Sequence, residues 1–341
     1  YLILNTGAIK AQSADVIHTS TYLGFGYEYL QVEVGYREHW FSPMQDSAML
    51  VSTHAKASPS ITLSNATPIT DWNIRYEVFY SRLEEVEGIR LGDELFPGKP
   101  SHAGVHLSFT PLDFWTLGFN RTLQFGGGKR EVSISDVFKA LFDPAGKDNV
   151  AGADANDPNY EFGNQQASIT SKFNFHLGTA VSLYMEFGGE DTLGEKNYKL
   201  GNQTYSAGLF LPALSDSLSV RYEYSHWSTA WYVHHLYQQG YTNDGQVMGH
   251  WGGGERLFNH DTPASAHAFN INWQLSGNQL IDGTFRVIQN EDKAVINYSN
   301  GYQLNLRYSH ATQSGFWGAE VYWGQDVFGQ KFSRLSAFYR W

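Results

Sequence analysis

Phe332-Ser333-Arg334-Leu335-Ser336-Ala337-Phe338-Tyr339-Arg340-Trp341 closes the chain, and its reading decides the fold. Side chains of a strand alternate between two faces. Leu335, Ala337, Tyr339 and Trp341 therefore share one face, and Arg334, Ser336 and Arg340 share the other. A strand that is apolar on one side only and stops on an aromatic has the pattern of the last strand of a bacterial outer-membrane β-barrel. If this strand faces lipid, the rest of the sheet must too, because hydrocarbon tolerates no open sheet edge.

Composition agrees with that solvent. The 341 residues include no Cys and are 42% hydrophobic, 16% aromatic and 17% charged, with 34 Gly. A soluble chain carries about 25% charged residues and fewer aromatics. No run of about 20 apolar residues offers a transmembrane helix. A membrane barrel reconciles these facts, since only alternate residues face lipid while aromatics gather at the two interfaces. One barrel can use the full length, so residues 1–341 are expected to form a single domain. The lack of Cys is compatible with an oxidising periplasm. A balance of 23 basic against 34 acidic residues, net −11, argues against a nucleic-acid partner. Tyr1-Leu2-Ile3-Leu4 reads like the interior of a strand and not like a targeting region. A signal peptide and any periplasmic segment are therefore expected to lie outside this sequence.

Outward from the last strand, the alternation recurs. Leu218, Val220, Tyr222 and Tyr224 oppose Ser219, Arg221, Glu223 and Ser225. Tyr302, Leu304, Leu306 and Tyr308 oppose Gln303, Asn305, Arg307 and Ser309. Phe269, Ile271 and Trp273 oppose Asn270, Asn272 and Gln274, and Leu30, Val32 and Val34 oppose Gln31 and Glu33. A soluble sandwich or propeller with one wet face would also alternate. Two features count against it: Arg and Glu recur on the polar face in strand after strand, as in a lumen filled by a charge network, and Tyr and Trp flank the apolar faces.

Short turns at Thr110–Asp113, Leu177–Thr179, Pro212–Ser215 and Ser276–Asn278 alternate with long connections near 82–101, 124–164, 189–202, 227–264 and 290–299. Outer-membrane barrels have short periplasmic turns and long surface loops, so parity from Trp341 places the long connections outside the cell. About seventeen strand candidates, and the even number a closed bacterial barrel requires, give sixteen to eighteen strands. One long connection carries a helix signal. Ser135 serves as N-cap, Asp136 favours the dipole, Val137, Phe138, Leu141 and Phe142 keep helical spacing, and Pro144 ends the run. The helix either folds into the barrel mouth and narrows it or packs on neighbouring loops without gating.

The densest aromatic stretch runs from His226 to Trp251. Trp227, Trp231, Tyr232, His234, His235, Tyr237, Tyr241, His250 and Trp251 are its candidate glycan-contact residues. Sugar recognition needs flat aromatic faces and planar hydrogen-bonding groups, and this stretch supplies both. The competing reading makes the same aromatics the internal core of an ordered loop. His226, His234, His235, His250 and His260 invite a metal reading, but no paired metal-ligand spacing is present and no thiol assists. Adjacent His234 and His235 would point apart on a strand, so no metal or other cofactor is expected. Asp46-Ser47 and Glu190-Asp191 are the best carboxylate candidates for hydrolysis, against the plainer role of loop capping. No nucleophile elbow is present, and no enzyme activity is expected.

Several stretches together resemble the Wzi capsule-assembly family. Arg37-Glu38-His39-Trp40-Phe41-Ser42-Pro43 leads through Asp46-Ser47 to Met49-Leu50-Val51-Ser52-Thr53-His54-Ala55, similar to the family's Arg–Trp strand end, Pro loop and following strand. His54 stands where that family has Asn. Gly163-Asn164-Gln165, Leu183 through Asp191, Arg221-Tyr222-Glu223-Tyr224, Trp231 through Tyr237, Gly240-Tyr241-Thr242 and Gly249-His250 continue the match in order. The resemblance implies a closed barrel of about eighteen strands, a helical periplasmic segment at the N-terminus that this sequence does not show, and a lectin role in attaching or organising capsular polysaccharide. The expected protein is thus an all-β, antiparallel transmembrane barrel of the outer membrane, monomeric, surrounded by lipid and lipopolysaccharide, and binding surface polysaccharide. A porin-like diffusion channel is the alternative.

Overall fold

The alternation becomes one antiparallel sheet of sixteen strands in which sheet order is chain order. The computed structural model describes residues 2–10, 16–143, 161–190, 196, 198–257, 260–291 and 296–341. The wall begins with β1 (Leu2–Asn5), β2 (Thr21–Tyr27), β3 (Leu30–Tyr36), β4 (Pro59–Ser64) and β5 (Arg75–Arg82). It continues with β6 (Ser101–Leu112), β7 (Trp115–Phe125), β8 (Gly163–His176), β9 (Ala180–Glu190), β10 (Gln203–Ser215) and β11 (Leu218–Trp227). It finishes with β12 (Ala264–Ser276), β13 (Gln279–Asn290), β14 (Gly301–Thr312), β15 (Gly315–Gln325) and β16 (Lys331–Arg340). Among the described residues β1 and β16 are not hydrogen-bonded to each other. Sixteen among the described residues is the low end of the expected range, where the family resemblance implies about eighteen.

The polarity of the wall is the reverse of a soluble sheet. Val34, Phe119, Ile169, Phe187, Leu306 and Val321 point outward and are exposed, while Thr62, Asn120, Thr170, Glu186 and Glu223 point inward and are buried. Exposing a continuous apolar face while burying carboxylates is favourable only with hydrocarbon outside and a polar lumen inside. From β6 onward the strands hold 10–14 residues, enough to cross a bilayer at a tilt.

Because every neighbour is antiparallel, the connections sort to two rims. One rim carries the tight turns 28–29, 113–114, 177–179, 216–217, 277–278 and 313–314, with a longer turn at 65–74. The other carries 6–20, 37–58, 83–100, 126–162, 191–202, 228–263, 291–300 and 326–330. The stretch Met49–Ala55, expected as a strand, is irregular, and the next strand starts only at Pro59. Ala48-Met49-Leu50-Val51 are all buried, so both sides of this segment are covered, which no wall strand with a lipid face and a lumen face provides.

The expected helix exists as α1 (Ile134–Phe142), but its N-cap is Ser133 and not Ser135. The Ser133 hydroxyl accepts from the Asp136 N–H at 3.2 Å, and the Asp136 carboxylate accepts from the Ser133 N–H at 3.0 Å. This reciprocal box satisfies two N-terminal donors, which Ser135, already inside the first turn, could not. Pro144 lies outside the described residues. The helix does not enter the mouth. Ala140 is buried, and Val137 and Leu141 pack with Leu123, Phe125 and Phe162. Leu123 and Phe125 belong to the outward face of β7, since Asn120 and Gln124 on the alternate positions bond to groups in the lumen.

Candidate functional site

The lumen is filled by connection 37–58, with 228–257 layered over it. Phe41, Met49, Leu50, Val51 and Ala55 of the first pack with Trp231, Tyr232, Tyr241, Val247, Met248 and Trp251 of the second. Phe79 of β5, Trp227 of β11, Ala264 of β12 and Ile288 of β13 join the same core, so the sheet curls around it. At 37–58 the chain must bury backbone polar groups, and these need partners. Ser52 N–H donates to Met248 O at 2.9 Å, and the Tyr232 hydroxyl donates to Met49 O.

The remaining partners are charged groups of the wall. Glu223 on β11 takes the Gln45 N–H on one oxygen and the Asp46 N–H on the other, each at 2.9 Å. The Tyr184 hydroxyl donates to the same carboxylate at 2.7 Å. Glu186 on β9 accepts from the Ser42 hydroxyl at 2.6 Å and from the Ser168 hydroxyl at 2.8 Å. Asp46 in turn accepts from Arg286 on β13, with Nε and Nη2 at 3.0 and 2.8 Å from Oδ1, and from the Trp251 indole N–H at 2.9 Å. Where the segment leaves β3, Arg37 sits 2.8 Å from both Glu33 and Glu77, and His39 sits 2.7 Å from Glu77. Arg286–Asp46 and Arg37–Glu77 are charge-assisted pairs, about twice as strong as neutral hydrogen bonds, and they make the tether firm. Asp46 and Ser47 therefore belong to the tether: the Ser47 hydroxyl accepts from the Trp251 N–H at 3.1 Å. Glu190 accepts from the Tyr232 N–H at 3.1 Å, and Asp191 lies outside the described residues.

Of the nine aromatic and His residues read as glycan contacts, Trp227, Trp231, Tyr232, His234, Tyr237, Tyr241, His250 and Trp251 are buried. Their rings face each other or the lumen segment: Tyr232 stacks on Tyr241 at 6.0 Å, and His250 lies 5.1 Å from Trp227. A ring covered on both sides leaves no face for a sugar in this conformation. Tyr232 shows how tightly the layer is determined. It keeps a left-handed φ of 68°, a conformation costing a bulky residue about 1–2 kcal/mol. Its buried ring and its hydroxyl, which also accepts from the His250 N–H at 2.7 Å, hold it there. Burial pushes the Tyr237 and Tyr241 hydroxyls up, since the ionised forms would be desolvated, and they stay neutral donors.

His235 is the exposed member of the set, its side chain 57% accessible. The prediction that His234 and His235 point apart fails, because they lie in a turn and not a strand: their rings stack at 4.8 Å. Both meet Glu161, with His235 Nε2 at 2.7 Å and His234 Nε2 at 3.4 Å. Such a triad has the donor types for a divalent cation. However, the Leu236 N–H donates to His234 Nδ1 at 3.2 Å, which puts the proton of the neutral ring on Nε2, toward Glu161. The His235–Glu161 hydrogen bond clasps two loops, and burial holds the His234 imidazole beside it down at about 4.

A cavity of about 230 Å³ opens in the same layer, lined by Gln239, Thr242, Val247, Arg256 and Leu257 among glycines 240, 245, 253 and 254. Arg256 is fixed there by donating from Nη2 to Trp231 O at 2.7 Å. Sequence reasoning passed over these residues, since polar side chains scattered over a Gly-rich turn carry no periodic signal. The run Gly252-Gly253-Gly254 was the visible trace: a Cβ at Gly253 would lie 2.5 Å from the Tyr232 ring.

A family model described as Capsule assembly protein Wzi matches residues 8–325. The chain belongs to the Wzi capsule-assembly family. Among solved structures, Wzi of Escherichia coli is described as an outer membrane protein involved in group 1 capsule assembly and a carbohydrate-binding β-barrel. It is 16% identical with a TM-score of 0.69, over 96% of this chain and 70% of that one, and at this identity it shows the shared fold. The outer membrane channel DcaP of Acinetobacter baumannii is 9% identical, covering 95% of this chain and 86% of its own, and its TM-score of 0.38 is too low to carry an argument. No curated protein matches the sequence. The stretches that resembled the Wzi family meet around the lumen tether: Ser42 touches Glu186, the Asp46 amide touches Glu223, and the Ser52 hydroxyl donates to Gly249 O.

Proposed function

We propose that this chain is a lectin of the bacterial outer membrane, with its long connections on the extracellular side, that binds capsular or exopolysaccharide and holds it at the cell surface. The filled lumen carries this reading. A barrel threaded by 37–58 and capped by 228–257 has little room for solute passage, which disfavours the diffusion channel, and leaves the outer surface of the loops as the place to act. Membership of the Wzi family supports the process, and the carbohydrate binding stated for the Escherichia coli protein supports the ligand class. The cavity beside Gln239 and Arg256 falls below the roughly 300–1,000 Å³ typical of drug-sized pockets and suits a single sugar unit. One such contact is weak, and repeating units on a polymer met by many barrels supply avidity. On this reading the protein is a monomeric binder in lipid and lipopolysaccharide, and no bond is made or broken.

Retention of purified capsular polysaccharide by the immobilised barrel tests it. Gln239→Ala removes one hydrogen-bonding group and should weaken retention about threefold to tenfold. Gly254→Trp should block the cavity without backbone strain, because no atom lies within 4 Å of a Cβ there. Wild-type levels in both variants would exclude this cavity. No retention by the wild type, or steady single-channel openings in a planar bilayer, would remove the lectin reading.

A further inference from the structure

Helix α1 presents two apolar faces, and among the described residues one is covered by protein and the other is exposed. Its inner face rests on the outside of the wall. Arg121, on the outward side of β7, donates from Nη2 to the Ala140 carbonyl at 2.6 Å and ties the helix backbone to the strand. Leu123 and Phe125 on the same side of that strand are 1% and 6% exposed, whereas Phe119, nearer the other rim, is 42% exposed like the rest of the outward band. The helix thus replaces lipid over the last outward positions of β7, at the rim of the long connections. Its outer face carries Ile134, Phe138 and Phe142 at four-residue spacing, which are 77%, 58% and 80% exposed. Three large apolar side chains in a row, facing water, would be a standing hydrophobic cost. Their stripe instead runs on from the exposed apolar band of the barrel, which continues below it as Phe119 and Ile169.

We propose that α1 is an interfacial helix that inserts Ile134, Phe138 and Phe142 among the acyl chains of the outer leaflet beside the barrel. A helix of this kind lies in the interface plane with its apolar face sunk about 5–10 Å below the headgroups. It gives the barrel a lipid-seated ledge at β6–β8, which fixes residues 126–143 relative to the membrane surface. The inference rests on lipid facing the wall and, for the choice of leaflet, on the proposed extracellular side of the long connections; it is independent of what the loops bind.

The absence of Cys makes single-cysteine labelling direct. Spin labels at Phe138→Cys, Phe119→Cys and Gln246→Cys would be compared in vesicles of phosphatidylethanolamine and phosphatidylglycerol, by collision with oxygen and with a water-soluble nickel chelate. The expected result is a label at 138 that is oxygen-accessible and nickel-shielded, like that at 119 and several-fold different from the loop label at 246. A label at 138 that matches 246 would overturn the proposal. Spin–spin broadening between labels at 138, reporting a second copy on the stripe, would overturn it too. Nickel access at 119 would instead sink the lipid-facing wall itself. Heat-modifiable migration on gels checks that each variant is folded.

Discussion

The wall and the layer inside it are built from the same amino acids with opposite rules. In the wall, Phe119 and Ile169 look outward to lipid while Asn120 and Thr170 look inward. In the lumen layer, Trp231, Leu50 and Met49 look inward to each other, as in any water-soluble core. One chain therefore contains an inside-out sheet wrapped around an inside-in core. Where the two meet, Phe79, Trp227, Ala264 and Ile288 extend the apolar core into the wall, and Glu186, Glu223 and Arg286 hold the polar groups of the lumen segment. Solvent, more than composition, decides which side of an element becomes apolar.

Truncating the lumen core should give the largest effect. Trp231→Ala removes a fully buried indole and should destabilise the layer by about 3–5 kcal/mol. Protease sensitivity of 228–257 would rise while the heat-modifiable migration of the wall stays as it is. A wall that unfolds along with the layer would show that the two are one cooperative unit. Reversing the wall's outward polarity comes next. Phe119→Arg should cost about 2 kcal/mol or more on folding into a bilayer, read as the folded fraction after refolding into vesicles. A change within about 0.5 kcal/mol, as for an exposed position in water, would mean that lipid does not wet this face.

The smallest effect is a pH slope confined to the layer. Burial pushes the His250 imidazole down to about 3, and its Nδ1 accepts from the Gly252 N–H at 3.0 Å, so the folded layer keeps it neutral. The unfolded loop takes up a proton near 6.5. The His250 contribution is thus full above pH 6.5 and falls as pH drops from there toward 3, by at most about 1.4 kcal/mol per unit, and His234 in the same layer adds a fall of the same sign between 6.5 and about 4. Tryptophan-monitored urea midpoints at pH 7.5, 6 and 5 would show the decline, and His250→Gln should make it shallower, leaving the part due to His234. A flat profile in the unmutated protein would mean that the ring is already protonated or the loop already open.

The difference between the regions also explains what could be read beforehand. Period two made the wall legible, because the lipid face and lumen face impose it on every strand, as in Leu218 through Ser225. Chain parity then sorted turns from loops. The lumen layer obeys no period. Its core joins Phe41 to Trp251 across two hundred residues of sequence, and irregular segments leave no repeating trace. Ala48-Met49-Leu50-Val51 held a warning, since four consecutive apolar residues cannot serve a one-sided strand. The aromatic stretch was located but not oriented: sequence shows that Trp231 and Tyr241 cluster, and only packing shows that their faces are closed. Adjacent His234 and His235 misled for the same reason, as strand geometry was assumed where a turn stands.

Glu223 holds its loop by two main-chain amides and not by side chains. With Glu186 and Arg286, it spreads the attachment over β9, β11 and β13. A polymer tugging on the outer loops would pull against several staves at once, so tension would be shared before any single fastening gives way.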